Sequence, residues 1–538
     1  MRTIYIGISL LLLSINTINA QQFFESVQPL SAKSQKGYID DVSKSDDGNA
    51  NVTFKMKVDK KSDAVSYEKY SFDKNLKYIS ASNAQEKKAN IPDYESTSLY
   101  GYVGGRSSFD VLSMKLKINK VVALETWNYK KQQFETKKTI SDETVKFKND
   151  NGKTYMGYAA YDSFENSKQN VFCLTKIDTK DKAAADQFVI LLVDEKLEFK
   201  EKPLELKGSY SLVYCEQLKN ENIAMIFAPN NGAADITKYM YYQFDIAGNQ
   251  INKCEFQSPA SALLITAIYQ KGESVYFFGT STKEKEAFNK VFHEYAPIVN
   301  PGAPSSYLAM KWEKALEEKM ENFHILRFTG NQNDFSTKTP VADFKSKFKT
   351  APGDKDASVY KGKKFLIESF FVTKSEEFLV TGQISSTVHL GLENIETSYE
   401  DIICFHFDKS GNLKAQYGIG KINNDKKSMI FPMYQNFYPS PDGKSVYLEL
   451  MEVKGMKGYA SFIDAYNGDA TYSAHYFPRI TKIDLGNISL SPIKVLGEGK
   501  YFLNDSFSSQ FDEKENSVLY TGMDKDYEKL WVGKMIMQ

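Results

Sequence analysis

The chain has 538 residues, 42% hydrophobic and 25% charged, with 68 basic against 68 acidic side chains. This composition excludes a disordered or low-complexity chain. Zero net charge speaks against a general nucleic-acid binder, which needs a basic surface to displace phosphate counterions.

The first element is an export signal. Arg2 precedes an apolar stretch from Ile4 to Leu13, and Ile18-Asn19-Ala20 presents a small residue just before Gln21-Gln22. The apolar core is about ten residues against the roughly 20 needed to span a bilayer, so residues 1–20 read as a cleaved signal peptide. No later run approaches transmembrane length. The mature chain from 21 to 538 is expected to be soluble and secreted or periplasmic.

Beyond it the chain reads as short strands separated by polar turns about every ten residues. Asp46-Asp47-Gly48-Asn49 supplies a turn, and it lacks the full loop and distal Glu of a calcium site. Val52 to Val58 then alternates apolar and polar with the period of a half-buried strand. Gly101 to Arg106 is glycine-rich but matches no phosphate-binding spacing. Cys173 and Cys404 lie in apolar strand-like segments and read as small buried hydrophobes. Cys215 and Cys254 are the candidate disulfide of an exported protein, drawn between neighbouring strands. No cysteine pair has the spacing of a thiolate metal site.

Two patterns recur. Tyr242-Gln243-Phe244-Asp245-Ile246-Ala247-Gly248-Asn249 matches Phe405-His406-Phe407-Asp408-Lys409-Ser410-Gly411-Asn412, a strand followed by Phe-Asp and a Gly-Asn turn. Val275 to Gly279, Phe378 to Gly382 and Val518 to Gly522 are apolar strands that each end at glycine. Their spacing suggests about seven or eight units of four strands.

Between the strand at Val275 and the one at Ile325-Leu326-Arg327-Phe328 an insertion interrupts the pattern, at about 283–323. Phe288, Val291, Phe292 and Tyr295 have helical spacing, Pro297 to Pro304 break it, and Leu308, Trp312, Leu316, Met320 and Phe323 form a second apolar stripe. These predict a helical hairpin, packed on the side of the repeat or capping one end. Lys345 to Lys364 reads as an exposed, charged loop.

Near the C-terminus, Tyr438-Pro439-Ser440-Pro441-Asp442-Gly443-Lys444-Ser445-Val446-Tyr447-Leu448 resembles the S-P-D-G-K signature of WD40-like repeats in exported bacterial β-propeller proteins. That resemblance implies blade architecture and brings no catalytic residues. The expected fold is therefore all-β, a β-propeller of about seven or eight blades occupying residues 21–538 with the helical insertion at 283–323. A pair of smaller β domains is the alternative.

Local catalytic signatures are missing: no G-x-S-x-G elbow, no phosphate loop, no dinucleotide fingerprint. His293, His324, His389, His406 and His475 are scattered, and His293-Glu294 lacks a second His one turn on. No catalytic, cofactor-binding or metal-ligating residue is assigned, and no cofactor is expected. The sequence points to an exported binding or scaffold protein that uses one propeller face for a protein or glycan partner. The alternative is a carboxylate-based glycosidase or lyase, whose two acids need only meet in space.

Overall fold

The computed structural model describes residues 22–87 apart from 46 and 57–63, the strands between 106 and 203, and residues 204–538 apart from 207–209, 293–318, 355–356, 390–394, 423–431, 458–472 and 504–508. Residues 1–20, expected to be a signal peptide, lie outside the described residues.

Among the described residues there are seven sheets of four or five strands, built from antiparallel neighbours apart from one parallel strand added to the edge of one of them. Numbered in chain order by their first strands, blade 1 starts at Tyr38–Lys44, blade 2 at Tyr158–Glu165, blade 3 at Tyr210–Gln217 and blade 4 at Leu263–Lys271. Blade 5 starts at Phe365–Val372, blade 6 at Tyr434–Pro439 and blade 7 at Tyr501–Leu503. Smaller three- and two-stranded sheets occupy the strands between residues 106 and 146. In blade 7 the fourth strand is the N-terminal segment Gln22–Pro29, paired antiparallel with Lys529–Ile536. This succession of four-stranded meanders, with both ends of the chain joined in one sheet, is the blade organisation of a β-propeller. The fold class is all-β.

The chain forms two compact units. One holds Met1–Ile91, Ala351–Gly353 and Lys421–Gln538, hence blades 1, 6 and 7; the other holds Pro92–Thr350 and Asp354–Gly420, hence blades 2 to 5. In the first unit, apolar cores lie between blades 6 and 7 and between blades 7 and 1. In the second, they lie between blades 2 and 3, 3 and 4, and 4 and 5. The abundant Phe and Tyr fill these layers. Between blades 4 and 5, Phe323 meets Phe405 edge-to-face with centroids 5.1 Å apart, a contact worth about 0.5–1.5 kcal/mol beyond its buried area.

Packing on both faces explains why inner strands such as Ile223–Pro229 are buried throughout and show an unbroken apolar run rather than alternation. The two Phe-Asp turns are structural equivalents joining third to fourth strands. Asp245 Oδ1 accepts from the backbone of Ala247 (2.9 Å) and Asn249 (2.8 Å), and Asp408 Oδ1 from Ser410 (2.8 Å) and Asn412 (2.9 Å). Gly248 and Gly411 take the positive φ that these turns demand, 69° and 82°. Ser440 to Lys444 forms the turn between the first two strands of blade 6. There the Asp442 carboxylate accepts from the Ser440 hydroxyl (2.7 Å) and the Lys444 amide (3.0 Å), and Gly443 has φ 69°.

Three expectations are corrected. The helix expected after Lys283 is a single turn, Phe288–Val291, preceded by extended Ala287 with no side-chain cap. The second helix falls largely at 293–318, outside the described residues, but its last stripe residue is not helical. Phe323 belongs to strand Asn322–Thr329 and faces Thr280 across the ladder, where eight consecutive pairs override helical spacing.

The candidate disulfide does not form. Cys215 and Cys254 stand on the first and fourth strands of blade 3, with two strands between them, and no bond joins them. Three inter-strand spacings amount to about 14 Å, well beyond disulfide reach.

The Lys345–Lys364 segment is also more than an exposed loop. Phe348–Thr350 adds a parallel fifth strand outside blade 5, and Tyr360 is buried with its amide donating to Gln416 at 2.9 Å.

Candidate functional site at the first-strand bulges

A single backbone irregularity recurs at one place in five blades. The ladder between the first and second strands skips one residue on the first strand: Asp40 in blade 1, Tyr161 in blade 2, Val213 in blade 3, Thr266 in blade 4 and Glu368 in blade 5. Such bulges twist the strand and re-aim the extra side chain, which is why they accumulate beside functional sites. Within the second unit the first strands of successive blades adjoin, so the bulges of blades 2 to 5 lie along one shared edge.

The glycines expected to end the recurring apolar strands lie inside longer strands, Ser274–Ser281, Phe378–His389 and Ser517–Asp524, and belong to this geometry. In blade 4, Gly279 pairs with Ile265 immediately before the bulge, and in blade 5 Gly382 pairs with Ile367 at the same place. A Cβ on Gly279 would stand 2.8 Å from the carbonyl oxygen of Leu264, and one on Gly382 would approach that of Leu366 closer still. In blade 7, Gly522 pairs with Leu503, and a Cβ there would stand 2.5 Å from the Phe502 carbonyl oxygen. Glycine allows the two backbones to close up at these points.

Among the bulge residues of the second unit, Glu368 is the one that carries an acid. It interrupts the apolar run Phe365-Leu366-Ile367-Glu368-Ser369-Phe370-Phe371-Val372 and is half-buried. Burial pushes its carboxyl up to about 7, and no hydrogen-bond or ion-pair partner offsets that among the described residues. Tyr399, on the third strand of the same blade, is raised by its own burial and then by the charge of Glu368. A carboxyl poised between its two protonation states, partly open to solvent and lacking an internal partner, can bind a cation or move a proton.

Other ionisable groups are paired with one another, either at the surface, as Lys44 is with Asp512 and Glu515, or inside the fold. His406 is fully buried; Nε2 donates to Glu377 at 2.6 Å, and Lys414 meets the same carboxylate at 2.9 Å. Burial lowers His406 and the Glu377 contact only partly offsets it. His324 is buried between Ser281 and the Thr337 carbonyl. Arg479 and Glu452 form an ion pair, 4% and 1% exposed at their side chains. His475 stacks on Phe502 in the first unit. His324 lies in blade 4 and His406 in blade 5, each with its own partners, while His293 and the side chain of His389 lie outside the described residues.

Among the described residues no group of three or more His, Cys, Asp or Glu is placed to hold a metal ion. Nor, among them, is any helix long and apolar enough to cross a membrane. The Asp47 carboxylate near the chain start is engaged by Ser45 and by Asn49 at 2.6 Å, as a turn. Reading residues in order did not reveal Glu368; the one visible signal was a lone acid inside an apolar strand.

No protein-family model matches the chain, and no curated protein matches it. Among solved structures it is similar to the β-propeller domain of the Trilobed protease from Pyrococcus furiosus, at 9% identity over 92% of this chain and 93% of that one, with a TM-score of 0.26. It is also similar to an apocarotenoid oxygenase from Synechocystis (7% identity, 87% and 91% covered, TM-score 0.27). A third is a mannose phosphorylase from Leishmania mexicana (12% identity, 55% and 80% covered, TM-score 0.20). At these TM-scores the likenesses carry no argument, and the blade reading stands on strand order and register.

Proposed function

We propose that the protein is an exported binding module whose ligand site lies on the first-strand edge of blades 2 to 5, centred on Glu368. The observation that carries this reading is a half-buried carboxyl, re-aimed by a bulge and left without an internal partner. Evolved cores pair or remove such groups, because an unpaired carboxylate opposes folding. Keeping one beside open solvent suits contact with a ligand. Export is supported by the Arg2-to-Ala20 segment and by the S-P-D-G-K resemblance to exported WD40-like propeller proteins. The partner class is a protein or a glycan.

The test is a thermal-melt screen of the chain from Gln21 to Gln538 against oligosaccharides, peptides, amines and divalent ions, run in parallel on E368Q. A ligand at a hundred times its dissociation constant stabilises by about 2.7 kcal/mol. A shift in the natural protein that E368Q loses supports the site. Ligand shifts identical in both proteins would move the site elsewhere.

A second reading is favoured by the carboxyl near 7, which suits a general acid in glycoside cleavage. Incubation with oligosaccharides decides it: release of new reducing ends that stops in E368Q makes the protein an enzyme, and intact substrate leaves it a binder.

A further inference from the structure

Blades 1 and 5 carry the same bulge with an acid in it, and ladder register aligns them residue by residue. In blade 1, Ile39 pairs with Phe54 and Asp41 with Thr53, leaving Asp40 extra; one step out, Tyr38 pairs with Lys55, which in turn pairs with Tyr67. In blade 5, Ile367 pairs with Gly382 and Ser369 with Thr381, leaving Glu368 extra; one step out, Leu366 pairs with Gln383, which pairs with Ile402. Asp40 therefore corresponds to Glu368, and Lys55 to Gln383.

Their chemistry differs in one respect. In blade 1 the Lys55 ammonium lies 3.8 Å from the Asp40 carboxylate and 6.0 Å from the ring centres of both Tyr38 and Tyr67. Partial burial alone would lower Lys55, but Tyr38, Tyr67 and Asp40 outweigh it and hold the ammonium above its ordinary range. In blade 5 the acid persists and the base does not. Gln383 is fully buried and turns its amide to the backbone oxygen of Glu400 at 3.0 Å. Blade 1 thus shows an ammonium seated at the bulge acid, and blade 5 shows the acid with none among the described residues.

We propose that Glu368 is the anchor of a primary-ammonium site, in which a ligand supplies the cation that Lys55 supplies in blade 1. The site takes an alkylammonium group, carried by a small amine or by a lysine side chain. Tyr399 lies close enough to feel the Glu368 charge and offers the site an aromatic flank. An ammonium bound there holds the carboxylate ionised, so binding below neutral pH releases a proton. This rests on the reading of Glu368 as the centre of the ligand site and narrows its ligand class.

Calorimetric titration of the chain from Gln21 to Gln538 with n-butylamine, and with 1-butanol as the neutral counterpart, tests it at low salt. Measuring at pH 6.5 in two buffers of different ionisation enthalpy counts released protons. The expected result is binding of the amine and not of the alcohol, with proton release, and at least a tenfold loss in E368Q. A second variant, Q383K, places an internal ammonium where blade 1 has one and should also abolish amine binding while the fold melts cooperatively. Comparing a lysine peptide with its acetyl-lysine form distinguishes the sources. Tighter binding of the lysine peptide than of butylamine assigns a polypeptide ligand, and equal binding assigns a small amine.

Equal binding by E368Q, or equal heat from amine and alcohol, overturns the proposal. If amines fail while another ligand shifts the natural protein and not E368Q, the ammonium assignment falls and the site stands. If no ligand distinguishes the two proteins, both fall.

Discussion

The hydroxyl of Ser281 donates to Nε2 of His324 at 2.8 Å, while Nδ1 of the same ring donates to the Thr337 carbonyl at 2.9 Å. An imidazole facing a carbonyl on one side must carry its proton there, so the other nitrogen accepts. The pair has the connectivity of a nucleophile and its base. Yet Ser281 is 1% exposed and His324 0%, so no substrate reaches it, and it fastens the second and third strands of blade 4 to the chain beyond the fourth.

Burial holds His324 down at about 4, from the ordinary 6.5. The folded protein keeps the ring neutral while the unfolded chain takes up a proton, so this contribution is complete above pH 6.5 and declines as pH falls toward 4. The span is roughly 3 kcal/mol. Urea unfolding at pH 7.5, 5.5 and 4.5 should show the decline, and H324Q should be less stable at pH 7.5 but lose less on acidification. An equal acid sensitivity in both proteins would refute the assignment.

Glu449, fully buried in blade 6, should act in the opposite direction. Its Oε2 accepts from Asn436 at 2.9 Å and from Tyr438 at 3.0 Å, while Oε1 and the neighbouring Tyr520 hydroxyl are both buried without a well-formed hydrogen bond among the described residues. Burial raises this carboxyl and the surrounding donors only partly offset it. Its stabilising share is therefore complete below the ordinary carboxylate range and is lost as pH rises through the raised value. E449Q should be about 1 kcal/mol or more stabler than the natural protein at pH 8, and no stabler at pH 4. Paired denaturation curves at the two pH values check this.

A single methyl group tests the bulge geometry. G382A must push against the Leu366 carbonyl and should cost about 1–3 kcal/mol, whereas Gly486, whose added Cβ would meet only the Asp484 carboxylate at 3.5 Å, should accept alanine within about 0.5 kcal/mol. Equal melting temperatures for the two variants would remove the argument that Gly382 is required by close approach.

Removing residues before Leu30 strips the fourth strand from blade 7. It also removes Glu25, which accepts from the Trp531 indole at 3.1 Å. The truncated protein should show red-shifted tryptophan emission, a lower melting temperature and self-association through the bared Lys529–Ile536 edge. A synthetic peptide of Gln22–Pro29 added in trans should reverse all three. Unchanged emission and melting would show that the pairing contributes little.

Turns were legible in the sequence because their chemistry is local. Asp245 and Asp408 bond to amides two and four residues ahead, so matching words gave matching turns. The recurring glycines were visible as a pattern and were misread as strand ends; their cause, a carbonyl on the preceding strand, is not written beside them. Glu368 was hidden because extrusion at a bulge depends on register against a second strand. The expected helix near 320 misread apolar spacing that serves strand pairing at Phe323. Pairing Cys215 with Cys254 ignored the two strands that a four-stranded meander places between its first and last.

The union of Gln22–Pro29 with Lys529–Ile536 also sets a timetable. The ribosome makes the first partner about 500 residues before the second, which at 5–20 residues per second is a delay of roughly 25–100 s. Throughout that interval blade 7 cannot be completed, and its N-terminal strand presents unsatisfied amides and carbonyls to any chain nearby. Completing blade 7 is thus a zippering of a segment made early onto one made late, and the early strand must be kept from pairing elsewhere until then.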